Sequence, residues 1–438
     1  MGASTAPGPQ EKRLAAYMDG LAKAAGHADR EQPLKAYCAG LLLPGERKSV
    51  EPMAARLAPD KVRRTHQSLH HLVATAPWND EALLERVRQS VLPRMRRRAA
   101  LTAWIVDDTS FVKKGKHSVG VARQYCGAVG KQENCQVAVS LSVATDAASL
   151  PIAWRLYLPE SWASDRPRRK VAGVPDEIGF QTKPQIALAQ IRQAVEKEVP
   201  AAPVVADSAY GNDTEFRDGI TELGLGYVLG IRETTTVWLP GEAPRPQPRR
   251  GGRGRPPTRL ERDPRQPPLT VQELALSLPR QAWKSVTWRE GTRGKLKSRF
   301  AALRVHPAHR DERRSQARPQ EWLLIEWPKG EAEPAKYWLS TLPAGTRLIA
   351  LVKIAKQRWI IERDYEELKQ ELGLGHYEGR GWRGFHHHAT LCIAVYGFLV
   401  IERSLFSPSA RVGGLELRAA RIPAEYRPRG SPRARRTA

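Results

Sequence analysis

Three acidic residues stand apart from the other carboxylates by their setting. Asp107 follows the apolar run Ala103-Trp104-Ile105-Val106 and reads as the end of a β-strand. Asp207 follows Val204-Val205-Ala206 in the same way. Glu362 falls within a stretch that predicts one long helix from Thr346 to Leu372, capped at Thr346 and ended near Gly373. Carboxylates at the C-terminal ends of sheet strands are a common place for chemistry in α/β folds. Their oxygens suit Mg2+ or Mn2+ rather than zinc. Three carboxylates can hold two such ions about 3.5–4 Å apart, one activating an attacking oxygen and one stabilising a leaving oxygen. A single strand-end Asp is as readily a turn or helix cap. Asp108 neighbours Asp107 and is the other candidate ligand at that strand.

The predicted helix adds cations. Arg358, Glu362, Tyr365 and Lys369 are spaced 4, 3 and 4 apart. At about 3.6 residues per turn they form one stripe. The opposite stripe, Leu348, Val352, Ala355 and Trp359, is apolar. A carboxylate flanked by Arg and Lys is what a metal-bound phosphate needs, the acid for the metal and the cations for the phosphate oxygens. The same spacing also describes a salt-bridged helix surface.

These residues need a scaffold, and the hydrophobic pattern supplies one. Residues 10–98 read as several short helices, with Leu14, Met18 and Leu21 at helical spacing and an end rich in arginine at Arg94, Arg96, Arg97 and Arg98. Such a bundle suits DNA binding, or oligomerisation. Residues 101–231 change period. Strands are expected at 103–106, 119–122, 137–143, 152–158, 204–207 and 227–231, with helices after Pro184 and over 213–223. That order describes an α/β fold with a mixed sheet covered by helices. Residues 232–345 form a β-rich insertion, with strand-like pieces at 235–239, 285–288, 300–305, 322–326 and 337–339. Inside it, 241–269 holds eight Arg and eight Pro against three acids, a composition expected to stay disordered. Residues 346–405 carry the two C-terminal helices, the second over His387 to Leu405. The tail 421–438 is basic and expected to be disordered.

Composition narrows the partner. The chain has 438 residues, and 71 Lys and Arg against 46 Asp and Glu give a formal charge of +25. That surplus disfavours an acidic or neutral metabolic enzyme and favours a polyanion. Four Cys without zinc spacing fit a reducing compartment. The apolar run Leu391 to Ile401 is too short to span a bilayer and reads as a buried helix. The expected location is the cytoplasm, on the nucleoid.

Taken in order, the motifs resemble the DDE transposases of bacterial insertion sequences, in the branch with a β-strand insertion before the glutamate. Val106-Asp107-Asp108-Thr109-Ser110-Phe111 is similar to the family's first motif, and Val205-Ala206-Asp207-Ser208-Ala209-Tyr210-Gly211 to its second. Arg358, Glu362 and Lys369 match its Tyr-x2-Arg-x3-Glu-x6-Lys signature, while Ala355 stands where the family has Tyr. Lys113-Lys114-Gly115 is similar to a subgroup with Lys-Lys-Gly after the first Asp.

The resemblance implies a ribonuclease H-like fold and a catalytic and metal-binding triad of Asp107, Asp207 and Glu362 using Mg2+, with Mn2+ able to substitute. Arg358, Tyr365 and Lys369 would contact DNA phosphates. The implied reaction is hydrolysis of a phosphodiester at each element end, followed by attack of the freed 3′-OH on target DNA. Double-stranded DNA is the implied partner, with a homodimer or larger assembly in the complex. A transposase-derived DNA-binding protein and a nuclease without strand transfer remain as other readings. Arg253-Gly254-Arg255-Pro256 is similar to a minor-groove arm. His386-His387-His388 resembles a metal tract, though a capping or phosphate contact suits a helix start better. Trp238, Trp283 and Trp288 are candidates for core or for stacking on an end base.

Overall fold

The computed structural model describes residues 8–246, 260–261, 267–291, 294–309 and 316–405. Arg253 and Arg255, most of the basic loop, and the tail lie outside the described residues. In chain order the N-terminal helices are α1 (Pro9–Ala24), α2 (Glu31–Leu42), α3 (Val50–Leu57), α4 (Val62–His70) and α5 (Asp80–Arg96). Then come β1 (Ala103–Val112), β2 (Ala122–Cys126), β3 (Lys131–Ala144), β4 (Ser149–Leu156), α6 (Glu160–Ala163), α7 (Arg166–Ala172), α8 (Lys183–Glu196), β5 (Val204–Ala206), α9 (Ser208–Gly211), α10 (Thr214–Glu222), β6 (Tyr227–Ile231) and β7 (Thr236–Trp238). A two-residue pair, β8 (Arg245–Pro246) and β9 (Leu260–Glu261), precedes β10 (Leu269–Thr270), α11 (Val271–Ser277), β11 (Lys284–Gly291), β12 (Gly294–Pro307), β13 (Glu321–Trp327) and β14 (Lys336–Ser340). The chain closes with α12 (Leu348–Ala355), α13 (Trp359–Glu366) and α14 (Trp382–Leu405). The fold is mixed α/β with a large mixed sheet, in keeping with the expected ribonuclease H-like fold.

The chain forms two compact units, and β1 passes from one to the other after Asp107. One unit holds residues 1–100, 108–182 and 360–438. Its centre is α14, whose buried residues include all of Trp382 to Glu402 except Arg383. This is the one described helix long and apolar enough to cross a membrane, and its apolar window is wholly enclosed by protein, as in a core helix. The N-terminal helices build that enclosure. Tyr17 donates to the Ala394 carbonyl at 2.8 Å, and Gly397 lets Tyr17, Val87 and Val91 approach α14 closely. Arg13 pairs with the buried Glu402 at 2.6 Å. Residues 10–98 therefore share their core with the C-terminal helix.

The three consecutive histidines lie inside α14, which starts at Trp382, five residues before the expected start. They neither cap the helix nor reach phosphate, because each is buried and bonded to the protein. His388 lies between the Tyr37 hydroxyl at 2.8 Å and the Gly373 carbonyl at 2.9 Å. His387 stacks on Trp78, ring centroids 3.6 Å apart, and His386 accepts from the Leu156 amide at 3.2 Å. Burial pushes His387 and His388 down to about 4. Their unfolded value is about 6.5, so the unfolded chain binds more protons and stability falls as pH drops from 6.5 towards 4. Asp364, raised by burial to about 6, works in the opposite direction as its folded carboxyl keeps its proton. His386 is lowered by burial too and Glu321 is raised, so three histidines oppose two carboxyls, and denaturant unfolding should show a lower stability at pH 4.5 than at pH 7.5.

The other unit holds residues 101–107 and 183–359. Here β1 pairs in parallel with β5, and β5 in parallel with β6. Beyond β6 the pairing turns antiparallel through β14, β13 and β12. The strands after residue 232 thus extend the sheet begun by β5 and β6. One face is covered by α12, whose Leu351, Val352 and Ala355 pack on Val228, Phe300, Leu324 and Trp338. Trp238 is core; Trp288 is partly buried, edge-on to Phe300 at 5.7 Å. Trp283 meets Trp327 edge-on at 5.2 Å.

Two expectations fail here. The strand before Asp107 does not stop there: β1 runs on to Val112, with Thr109, Ser110 and Phe111 buried. The segment 346–372 is not one helix. It begins after Arg347, breaks in a turn at 356–358, and resumes as α13, which passes into a π-turn at Glu367–Glu371. The side chains in the break explain it: Lys356 pairs with Glu326, Gln357 donates to the Thr102 hydroxyl, and Arg358 reaches Asp107.

Candidate active site

Asp107 lies on β1, and Asp207 directly follows the neighbouring strand β5. Trp104 lies opposite Val204 and Ile105 opposite Val205. Carried on by two residues, that register sets Asp107 beside Asp207, whose backbone is still extended at φ −81° and ψ −175°. Parallel strands lie about 4.8 Å apart, and in-register residues share a face. Asp108, one residue on, points to the opposite face of β1 and does not share that position.

Each aspartate is fixed. Asp207 caps α9, its Oδ1 accepting from the Ala209 amide at 2.9 Å. The turn after it is pressed onto β6, where a Cβ at Gly211 would lie 2.0 Å from the Gly230 carbonyl oxygen. The buried Arg217 donates to the Gly211 carbonyl and pins the same turn. This gives the motif's glycine a steric reason. Gly211→Ala is expected to lower stability by about 1–3 kcal/mol, as overpacking does, read as a lower midpoint in urea. Asp107 is nearly buried, and Arg358 Nη1 donates to its Oδ2 at 2.6 Å.

In the other unit, Glu362 is exposed in the first turn of α13. Tyr365 does not suit the phosphate contact expected of it. It is buried, and its hydroxyl bonds Ser140 Oγ at 2.6 Å. Lys369 is half-buried on the π-turn, donating to the Ser110 carbonyl at 3.1 Å beside the Phe111 ring, and burial lowers its pKa. The break at 356–358 and the π-turn mean that Arg358, Glu362 and Lys369 do not lie on one straight helical stripe. Glu367 pairs with Arg403 at 2.7 Å. Asp364, a residue that sequence pattern could not single out, is buried between the Tyr396 hydroxyl at 2.6 Å and Ser149. Arg217 carried no sequence signal either.

The donor set suits a hard divalent cation. Asp107 on β1 and Asp207 at the end of β5 offer carboxylate oxygens, the ligands Mg2+ and Mn2+ prefer. Among the described residues, no three His, Cys, Asp or Glu side chains form a ready-made cage.

Comparison with known proteins agrees with the strand geometry. Residues 20–295, more than half of the chain, match the family described as DDE superfamily endonuclease. Both aspartates lie within the match, and residues 358–369 lie beyond it. The chain is also similar to a probable transposase for insertion sequence element IS701 of Microchaete diplosiphon, 32% identical over 172 residues. That alignment spans 39% of this chain and 42% of the relative, less than half of either. With paired strand carboxylates inside a match of this length, the chain belongs to the DDE superfamily of endonucleases.

Proposed function

We propose that the protein is a transposase that binds the ends of its insertion sequence, cuts a phosphodiester at each end and joins the freed 3′-OH to target DNA. The observation that carries this reading is the parallel register of β1 and β5, Trp104 opposite Val204 and Ile105 opposite Val205, each pair a short step before an aspartate. Asp107, Asp207 and Glu362 hold two divalent ions, Mg2+ or Mn2+, in this reading. When bound, such ions activate the attacking oxygen and stabilise the leaving one. Arg358 bonds Asp107 before substrate arrives and contacts the scissile phosphate in this reading. Lys369 supplies a second cation.

DNA-end recognition falls to the N-terminal helices. On α4, Arg63, Arg64, Gln67 and His70 are exposed while Leu69 is buried, so one side of a nine-residue helix offers cations and amide donors. Arg and Gln are the side chains that read guanine and adenine edges. The complex is a homodimer or larger, because two ends must be joined together, and the protein acts in the cytoplasm on the nucleoid. The test uses the full chain, Mg2+ or Mn2+, and a duplex carrying the element's own terminus. The reading requires a nick at the terminus that leaves a 3′-OH, followed by joined product. Nicking without joined product reduces the reading to a nuclease. No metal-dependent cleavage of any duplex rejects it.

A further inference from the structure

A second basic feature lies at the C-terminal end of β1, six residues along the chain from Asp107. A cavity of about 580 Å³ opens there, lined by Arg47, Lys113, Lys114, Ser118, His376, Tyr377 and Glu378 among others. Its lysines stand on a built loop. Lys113 continues the β1–β3 ladder, its amide donating to the Asn134 carbonyl at 2.9 Å. The Asn134 side chain donates back to the carbonyls of Lys113 and Gly115 and closes the turn between them.

The charges in this cavity are poorly balanced. The ammonium of Lys113 is half-buried and donates to the Tyr377 carbonyl at 2.9 Å, a dipole rather than a carboxylate. Burial lowers its pKa. Glu378 gives it some opposing charge but pairs with Arg47, so an entering anion still offsets part of the desolvation cost. Lys114 is exposed and meets no carboxylate among the described residues. Arg47 pairs with Glu378, but both are more than half exposed, and such pairs hold weakly. His376 Nδ1 accepts from the Lys48 amide at 3.1 Å, which leaves its Nε2 as the N–H donor of the neutral ring. Three cations, one acid, a hydroxyl and an imidazole N–H around one concavity make an oxyanion site.

We propose that this cavity seats a phosphodiester of bound DNA, with Lys113 and Lys114 on its oxygens. DNA is favoured over an acidic peptide by the chain's charge of +25 and by its endonuclease family. The proposal rests on the functional reading above for its ligand, but it does not require metal or cleavage.

The test measures affinity of the full chain for a duplex in EDTA across a salt series. Each phosphate contact contributes about 0.9 to the slope of log K against log salt. Lys114→Ala and Lys113→Met should each make the slope shallower by about 0.9, and the double variant by about 1.8. Lys329→Ala, exposed in the turn between β13 and β14, should leave the slope unchanged. Thermal unfolding checks that each variant is folded, and Lys114→Ala, being exposed, carries the test if Lys113→Met is not. Wild-type binding with unchanged slopes in the cavity variants overturns this proposal alone. So does an equal change in Lys329→Ala. No DNA binding by the wild type overturns both this proposal and the functional reading. If inorganic phosphate at matched ionic strength stabilises the wild type but not Lys114→Ala, while the slopes stay unchanged, the ligand is a free phosphate and the DNA proposal falls.

Discussion

Asp207→Asn is expected to abolish metal-dependent DNA cleavage, with a loss of about a thousand-fold or more. Asparagine keeps the carbonyl oxygen that caps the Ala209 amide, so α9 and the Gly211 contact with β6 should persist. What disappears is the negative charge. Metal stabilisation of a reacting phosphate contributes several kcal/mol, and each 1.36 kcal/mol is about tenfold in rate. Asp107→Asn should cost as much in activity. It should also lower stability, because Arg358 would keep a hydrogen-bond acceptor but lose its counter-charge at a nearly buried position. Duplex binding without metal should survive both changes. The measurement is single-turnover cleavage beside binding in EDTA.

The second large effect separates the glutamates. Glu362→Gln should reduce cleavage by a similar factor, whereas Glu366→Gln and Glu367→Gln should keep most activity. The break before α13 removes the helical-stripe argument that linked Glu362 to Arg358. The choice now rests on the spacing from Arg358 to Glu362 to Lys369, which resembles the family signature. Glu367 is already paired with Arg403. Glu366 is the true competitor: it is exposed, and about 40° from Glu362 around α13 at 100° per residue. Cleavage lost in Glu366→Gln and kept in Glu362→Gln would move the third ligand by one turn.

Much of this was legible in the sequence because short apolar runs bounded by polar residues are local signals. The strand Tyr227–Ile231 and the helix at 214–222 fall where periodicity puts them. Sequence pattern shortens the strand carrying Asp107, because Asp107-Asp108-Thr109 looks like a polar stop. In the fold, Thr109 and Ser110 are buried, and Ser110 Oγ accepts from the Ala128 amide at 3.1 Å, so polarity there marks satisfied burial rather than a turn. The helix break at 356–358 left no trace in the pattern, since Lys, Gln and Arg are good helix formers. Their partners Glu326, Thr102 and Asp107 are distant in sequence, and tertiary pairing overrides propensity. The same blindness hid the burial of the three histidines, whose partners Tyr37, Val73 and Gly373 come from other parts of the chain. Charge read more simply, because a surplus of +25 needs no fold to point to a polyanion.

The central claim is that Asp107 and Asp207 hold a divalent cation, and binding of Mn2+ tests it more directly than activity does. Full-length protein on its terminal duplex would be titrated with Mn2+ and bound metal followed by electron paramagnetic resonance. The wild type should take up Mn2+ in a saturable manner. Asp107→Asn and Asp207→Asn should each weaken uptake by at least about tenfold, in keeping with the loss of one carboxylate ligand. Uptake by both variants equal to that of the wild type would contradict the account.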